Sequence, residues 1–454
     1  MTLSYFYNLS LHTFNNLSKN KAMKNFFKCT ILLLVAGACT NDDFITEEVD
    51  SPTKPVGVQS VNRNMDEVLQ IANNAARLLE NAQTRSVGRT IDPAATQYVV
   101  APATRAGGGN DTLLYIVNYT DEQGFAVVAA NRNTEGLLAV TERGSYGVDG
   151  EYHADNPGFT AFMEKAKAYA TSISGGGGSD ISVTLPPLVG RKWVHDTIYK
   201  NKVEPMVRVR WGQSGVEGKY CPNGLSGCSN TAMAQIMSYF HHPQSIAITY
   251  EGASVSTQTL NWTAMEKHEV SHSYKEGCTA TEAGHEAISQ LLRQLGKINK
   301  SKYKNVPRET STYASDVRNS FSNMGYTVST LNSYTDQALD KALANGELIY
   351  MRGTDTDDKG GHGWVVDGAY AYTVRTEEWR RPAGQLDWDF FGYAGSTTVE
   401  YLHYNWGWDG NCNGFFTSRM FSPDHGTRYD DTTSYSNNLD YNFADETFYF
   451  TVTR

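Results

Sequence analysis

The sequence predicts an α+β protein with two folded regions of unequal size. Residues 60–173 show the order helix, strands, helix, which is the pattern of a small α+β domain. Residues 174–187 include four consecutive glycines and end in two prolines, so we expect an exposed linker that is open to proteolysis. Residues 188–454 are rich in Trp, Tyr and Gly and hold most of the side chains suited to chemistry.

The composition excludes several classes of protein. Of the 454 residues, 40% are hydrophobic and 12% aromatic, so the chain can bury a sizeable core. The net charge is -10 and no block of Lys and Arg offers a phosphate-binding stripe, so we expect no nucleic-acid partner. Six cysteines are too few for a disulfide scaffold in a chain of this length.

Residues 1–39 have the features of a targeting segment. Two lysines shortly after Met23 precede a short apolar run, and small residues lead up to Cys39. This predicts a cleaved signal peptide with Met23 as its true start, and the end of the segment is similar to a bacterial lipobox, in which Cys39 carries the lipid. An ordinary secretory signal with an incidental cysteine is the alternative. Residues 40–59 are acidic and lack a hydrophobic period, so we expect a flexible tether to the outer membrane or cell surface.

The region of residues 60–173 has clear element signals but little chemistry. Asn64 and Glu67 form a helix-start pattern before apolar residues at helical spacing. Apolar runs then predict strands over residues 113–119, 125–130 and 137–141. Asn156, followed by proline, marks the start of a second helix. The region holds no Cys and one His, His153, so we expect it to lack catalytic residues.

Cys228 is the first candidate for a catalytic residue. Apolar residues at helical spacing predict a helix that begins near Cys228, with Ser229 or Asn230 as its cap. Unpaired N–H groups and the positive end of the helix dipole at such a position favour the thiolate, which is the nucleophilic form of cysteine. The alternative is a structural cysteine that happens to start a helix.

A nucleophilic cysteine needs a base, and the base needs an orienting partner. His362 lies between glycines just before an apolar strand, where it is more exposed than a core histidine. Asn405 ends a later strand and is followed by Trp406. An Asn amide oxygen accepts from an imidazole N–H, and a Trp ring shields that bond from water. The order Cys, His, Asn matches the papain-like pattern of cysteine peptidases.

Longer blocks around these residues make the resemblance specific. The blocks GCxxTAMAQIM at Cys228, GGHxWVVDG at His362 and YNWGWxGxxxGFF at Asn405 resemble the signature blocks of the streptopain family of papain-like cysteine peptidases. Residues 207–213, which end in Gln213, resemble the Trp-x-Gln segment of that family. Residues 60–173 are similar to the family's propeptide.

The resemblance implies a fold, an activity and a set of site residues. The fold would be a papain-like catalytic domain over residues 188–454, with a helical part and an antiparallel sheet. The activity would be that of a secreted cysteine endopeptidase acting on proteins or peptides, made inactive and inhibited by its own propeptide. Cys228 would be the nucleophile and His362 the general base and acid, oriented by Asn405 and covered by Trp406. The side chain of Gln213 and the backbone N–H of Cys228 would form the oxyanion hole. No cofactor is implied.

Some residues depart from the family blocks. Ser229-Asn230 replaces the small apolar pair expected after the cysteine, Gly363 stands where Ala is usual, and Ser214 begins a different segment after Gln213. These departures leave the nucleophile and base in place, but they affect the surroundings of the substrate.

Three other interpretations remain. Cys221 and Cys228 have six residues between them, wider than a usual zinc pair, so we expect no metal site. The chain could instead be a catalytically silent surface lipoprotein that binds protein or glycan. It could also be a papain-like amidase acting on cell-wall peptides. The presence of Cys228, His362, Asn405 and Gln213 together favours the peptidase.

Overall fold

The computed structural model describes most of the chain after the targeting segment and tether. The described residues are 61–80, 88–100, 112–147, 156–175, 190–267, 282–334, 339–354, 361–381, 387–421 and 446–454. The predicted signal peptide, Cys39, the tether, His153 and most of the glycine linker lie outside them. All the described residues belong to one compact unit, Lys54–Arg454.

The secondary structure is mixed, as the sequence predicts. The helices are α1 (Met65–Ala76), α2 (Pro157–Gly175), α3 (Cys228–Phe240), α4 (Trp262–Glu266), α5 (Glu282–Ile298), α6 (Ala314–Asn323) and α7 (Asp340–Ala344). The strands are β1 (Gln97–Val100), β2 (Thr112–Asn118), β3 (Phe125–Ala129), β4 (Leu137–Thr141), β5 (Gly190–Val203), β6 (Ser245–Ile248), β7 (Ser256–Thr259), β8 (Lys302–Asn305), β9 (Arg308–Ser311), β10 (Thr327–Val328), β11 (Asn332–Ser333), β12 (Leu348–Thr354), β13 (Gly361–Arg381), β14 (Asp389–Asn405), β15 (Gly414–Thr417) and β16 (Glu446–Thr453). Among the helices that the structure describes, none is long and apolar enough to cross a membrane.

One antiparallel sheet runs through both predicted regions. Its strands are neighbours in the order β1, β2, β3, β4, β15, β14, β13, β12, β16, β10, with β5 beside β13 and β11 beside β16. The junction is the pair β4 and β15, in which Val140 lies opposite Phe415. The sequence predicts a separate small domain before the linker, but in the structure each region supplies an edge strand that the other pairs. Such pairing satisfies backbone groups that both edges would otherwise leave open.

Helices from the two regions cover opposite faces of this sheet. Side chains alternate along a strand, so neighbouring residues point to opposite faces. Tyr350 and Val365 lie in the apolar cluster that contains α3. Met351 and Trp364 lie in the cluster that contains α2. The strands β12 and β13 are therefore held between a helix of the first region and a helix of the second.

The first region is also anchored at its start. Asn64 and Glu67 form the predicted capping box of α1, with the Glu67 N–H donating to Asn64 Oδ1 at 2.9 Å and the Asn64 N–H donating to Glu67 Oε2 at 2.8 Å. Buried residues of α1, such as Val68, share an apolar cluster with Tyr370 and Val399 of the larger region. This adds a second contact between the two regions.

Candidate active site

The helix α3 begins directly at Cys228. Its N-cap residue is Gly227, whose φ of 91° is a conformation that glycine adopts easily, and no side chain caps the helix. The expected cap by Ser229 or Asn230 is wrong, because both residues lie inside the helix. The Asn230 side chain instead donates backwards to the Ser226 carbonyl at 2.7 Å. The first N–H groups of α3 therefore keep their positive potential for a thiolate or an oxyanion.

The surroundings of Cys228 favour the thiolate. The side chain is buried, and its Sγ accepts a hydrogen bond from the Gly363 N–H at 3.3 Å. Burial by itself raises the pKa of this thiol, but the charge of His362 and a hydrogen bond to it, with help from Arg352 and Gly363, lower the pKa to about 6. A cysteine with such a pKa is largely ionised at neutral pH.

His362 lies at the start of β13 and is almost fully buried, so the expectation that it is more exposed than a core histidine is wrong. Its Nε2 donates to the backbone carbonyl of Trp406 at 2.8 Å. A carbonyl only accepts, so this bond places a proton on Nε2 and leaves Nδ1 to exchange a proton with a reacting group. The rings of Trp364, Trp406 and Trp408 lie about the imidazole, with centroids 6.2, 6.1 and 6.0 Å away. They keep water away from the Nε2 bond.

Asn405 is close to this site but bonds to other groups. Its Oδ1 accepts from Gln235 Nε2 at 3.1 Å and from the Gly407 N–H at 3.3 Å, and its Nδ2 donates to the Val209 carbonyl at 2.9 Å. The acceptor for His362 is the Trp406 carbonyl, so the predicted bond between His362 and Asn405 is not formed among the described residues. In this arrangement Asn405 fixes the turn that carries the carbonyl. Gln235 lies inside the block at Cys228, but the block alone does not show that its side chain bonds to Asn405.

Gln213 lies alongside the loop that precedes Cys228. Its backbone carbonyl accepts from the Ser226 N–H at 2.8 Å, and Thr231 Oγ1 of α3 donates to the preceding carbonyl, that of Gly212, at 2.9 Å. These bonds attach the Gln213 segment to the start of α3. The half-buried Gln213 side chain has no hydrogen-bond partner within the described ranges, so its amide is available to a ligand.

The helix α2 of the first region packs directly on the candidate base. A Cβ added at Gly158 would lie 2.2 Å from Trp406 Cε3 and 2.9 Å from His362 Cδ2, so only glycine fits there. Asn156 caps α2 by accepting from the Phe159 N–H at 3.1 Å and also donates to the Asn411 carbonyl at 2.9 Å. The start of α2 is therefore fixed against the loop that follows Trp406.

A buried charge cluster also joins the two regions. Glu142 of the first region lies 3.0 Å from Arg210 and 3.4 Å from His403 Nε2. His403 Nδ1 lies 2.6 Å from Asp367. Burial lowers the pKa of His403, but the charges and hydrogen bonds of Asp367 and Glu142 raise it to about 10, so His403 is a cation at neutral pH. Asp367 and Arg210 lie in segments that resemble the family blocks, but ion pairs between distant residues leave no local pattern, so the sequence did not predict this cluster.

The other described cysteines lack these features. Cys221 and Cys412 are free and buried. Burial raises the pKa of Cys221 to about 11 and also raises the pKa of Cys412. Within the described part of the chain, no cluster of His, Cys, Asp and Glu could hold a metal ion.

We expect the reactivity of Cys228 to follow its pKa. In the full chain, the rate of alkylation by iodoacetamide should be constant well above pH 6 and should fall about tenfold for each pH unit below it, because only the thiolate reacts. Cys221 should react slowly at neutral pH, because its thiol stays protonated. Mass spectrometry of peptides after short exposure measures both. An unshifted reactivity midpoint near pH 8 to 9, the range of an ordinary cysteine, would contradict the expectation.

Comparison with known proteins finds two families that match this chain. Residues 193–416 match the Peptidase C10 family, and residues 54–170 match the Spi protease inhibitor family. Streptopain of Streptococcus pyogenes is 22% identical over 351 residues, which cover 68% of this chain and 75% of streptopain. Among solved structures, a prointerpain A fragment of Prevotella intermedia has a TM-score of 0.46 and 18% identity, covering 78% of this chain and 98% of that one. Active interpain A of the same organism has a TM-score of 0.33 and 19% identity, covering 55% of this chain and 94% of its own.

The fold, the site and the two family matches define a cysteine endopeptidase with a papain-like catalytic domain and an inhibitory pro region before it. More narrowly, the chain belongs to the streptopain family, and the structure shows it with its pro region in place, as a zymogen. The peptidase is thus supported over the silent binding protein and the cell-wall amidase.

Proposed function

We propose that Cys228 and His362 carry out the hydrolysis of peptide bonds through a thioester. The observation that carries this proposal is the Cys228 thiol at the start of α3, with its pKa lowered to about 6 mainly by His362. The Cys228 Sγ attacks the substrate carbonyl and forms a C–S bond. His362 then gives its proton to the departing amine, which breaks the C–N bond. His362 next takes a proton from water, whose oxygen attacks the thioester carbonyl. The C–S bond then breaks, which releases the acid and restores the Cys228 thiolate beside protonated His362.

The oxyanion formed in each step needs hydrogen-bond donors. We assign this role to the backbone N–H of Cys228 and the side-chain amide of Gln213. The bonds from Ser226 and Thr231 to the Gln213 and Gly212 carbonyls, which attach the Gln213 segment to the start of α3, support this assignment. One such donor typically contributes about 10²- to 10³-fold in rate. The Trp406 carbonyl holds the His362 ring, and Asn405 holds the turn around that carbonyl.

The pro region inhibits the enzyme intramolecularly, and α2 is the part that we propose blocks the site. Gly158 of α2 lies against His362 and Trp406, where a substrate leaving group would have to pass. A tethered inhibitor acts at an effective concentration near millimolar, about that of a short flexible linker, so moderate affinity is enough. Cutting the linker of residues 174–187 removes that advantage and lets the pro region leave.

The activity is tested with the chain of residues 40–454. Under reducing conditions we expect self-cleavage between about residues 170 and 190 and hydrolysis of casein. An epoxide inhibitor of cysteine peptidases should label Cys228 and stop both reactions. If neither casein nor any peptide were cut after removal of the pro region, the proposed function would be refuted.

We further propose that the enzyme is exported and anchored by a lipid on Cys39 to the outer membrane or cell surface, and that the trimmed form is later released. The small residues before Cys39 support this. Metabolic labelling with a palmitate analogue should mark the wild-type chain and not the Cys39→Ala variant. Cys29→Ala is the matched control, because Cys29 lies inside the predicted apolar run, and it should leave labelling unchanged. Equal labelling of wild type and Cys39→Ala would rule the anchor out.

A further inference from the structure

Arg352 is placed next to the candidate nucleophile. It lies on β12 directly opposite Gly363 of β13, and the next pair along is Gly353 with His362. Its Nη1 donates to Ser229 Oγ at 3.1 Å, and Ser229 follows Cys228 in the chain. The guanidinium is close enough for its charge to contribute to the lowered pKa of Cys228.

The Arg352 guanidinium has unused donor capacity. A guanidinium has five N–H donors, and the described partners of this one are two hydroxyls, those of Ser229 and Tyr350, which leave donors free. No carboxylate in the described part of the chain lies within ion-pair distance of it, whereas arginines such as Arg132 and Arg210 have Glu partners. The side chain is only half-buried, so a ligand can reach it. A planar, partly desolvated cation of this kind is suited to bind a carboxylate through two parallel hydrogen bonds.

A cluster of neighbouring residues holds this guanidinium in position. The Tyr350 hydroxyl donates to Ser229 Oγ at 2.9 Å, so Ser229 is fixed by Tyr350 and Arg352 together. A Cβ at Gly363 would lie 2.8 Å from the Tyr350 hydroxyl and 3.1 Å from Ser229 Oγ, which explains why glycine is needed there. Ser229 and Gly363, both departures from the family blocks, therefore belong to one cluster that positions Arg352.

The position of Arg352 relative to His362 defines the part of the substrate that it meets. The His362 ring lies with Trp364 and Trp406 on the face of β13 that α2 covers. Since His362 protonates the departing amine, the residues after the scissile bond leave along that face. Gly363 and its neighbour Arg352 lie toward the other face, with Ser229. The residues before the scissile bond therefore lie near Arg352.

We propose that Arg352 is a specificity-determining residue that binds the carboxylate of an Asp or Glu side chain in one of the two residues preceding the scissile bond. This inference rests on the proposed peptidase function. It names a substrate class for the site, namely polypeptides with an acidic residue just before the cut.

The test compares matched fluorogenic peptides that carry Glu, Gln or Lys at each of those two positions, using the enzyme after removal of its pro region. At one of the two positions, the kcat/KM of the wild-type enzyme should be about 10- to 100-fold higher for the Glu peptide than for the Gln peptide, as expected for a charge-assisted bidentate bond. Arg352→Glu should reverse the order, so that the Lys peptide becomes the best substrate. Each ratio compares two peptides cut by the same variant. A change in the reactivity of Cys228 affects both rates equally and leaves the ratio unchanged.

Two further variants separate specificity from structure. Arg352→Lys should keep the preference for Glu but weaken it. The positive charge remains, but lysine cannot form the two parallel hydrogen bonds of a guanidinium. Arg380→Glu is the matched control, since Arg380 lies on the distant part of β13 beside Glu378, and it should leave the preference unchanged. Equal rates for Glu and Gln peptides in wild type, or no reversal in a folded Arg352→Glu variant, would overturn the inference while the peptidase assignment stands. If neither casein nor any of the peptides were cut, both the inference about Arg352 and the proposed peptidase function would be refuted.

Discussion

Cys228→Ala should reduce peptide hydrolysis by the processed enzyme about 10⁴-fold or more. Without the nucleophile no thioester can form, and the other catalytic residues cannot act in its place. The variant should keep its fold, since alanine at the first position of α3 retains the backbone N–H and changes only a small side chain. The full-length Cys228→Ala chain should also stay uncut after its signal is removed. Added active enzyme should then trim it at the linker. The measurements are kcat/KM on a peptide substrate and gel analysis of the linker.

Cys221→Ala provides the matched control for this prediction. Cys221 is also buried and lies in the same part of the chain, but its thiol is protonated and outside the candidate catalytic pair. We expect most of the activity to remain, with some loss of stability because a buried side chain is made smaller. A fatal Cys412→Ala together with a harmless Cys228→Ala would show that the nucleophile has been assigned wrongly.

Much of the fold could be predicted because its elements have local signals. The capping box at Asn64, the proline after Asn156 and the apolar period after Cys228 all describe interactions within one or two turns of a helix, so they are visible in the sequence. The pairing of β4 with β15 joins residues far apart in the chain, and no local pattern encodes it. For this reason two separate regions were predicted where the structure has one continuous sheet.

The candidate site also combines residues that local sequence patterns predict with contacts that they do not predict. Cys228 and His362 could be found because each lies in a distinctive block, and the structure brings them together. The acceptor for His362 could not be found, because it is a backbone carbonyl, that of Trp406, which any residue could supply. Tyr350 and Arg352 were missed as well, since neither is unusual in a strand. Their importance comes from the register that sets Arg352 opposite Gly363.

Gly158→Leu should release the zymogen from inhibition without any cut in the linker. Even the first carbon of a side chain at this position would lie 2.2 Å from the Trp406 ring. Trp406 is held in place by two hydrogen bonds. Its ring Nε1 donates to the Cys412 carbonyl at 3.0 Å, and its backbone N–H donates to Asn413 Oδ1 at 3.0 Å. The start of α2 must therefore move away from His362. Overpacking of this kind costs about 1–3 kcal/mol, which weakens the closed state by about 5- to 150-fold.

The measurement is the rate at which an epoxide inhibitor labels Cys228 in the uncut chain, followed by mass spectrometry so that cut molecules are excluded. Gly158→Leu should be labelled about 5- to 150-fold faster than wild type, in proportion to the weakened closed state. Glu164→Leu adds the same side chain on the exposed side of α2, where it disturbs only the surface pair with Lys167, and it should behave as wild type. If Gly158→Leu were labelled no faster than Glu164→Leu, the start of α2 would not be what closes the site. The contacts of Glu142 with Arg210 and His403 would then be the next candidates for holding the pro region on the enzyme.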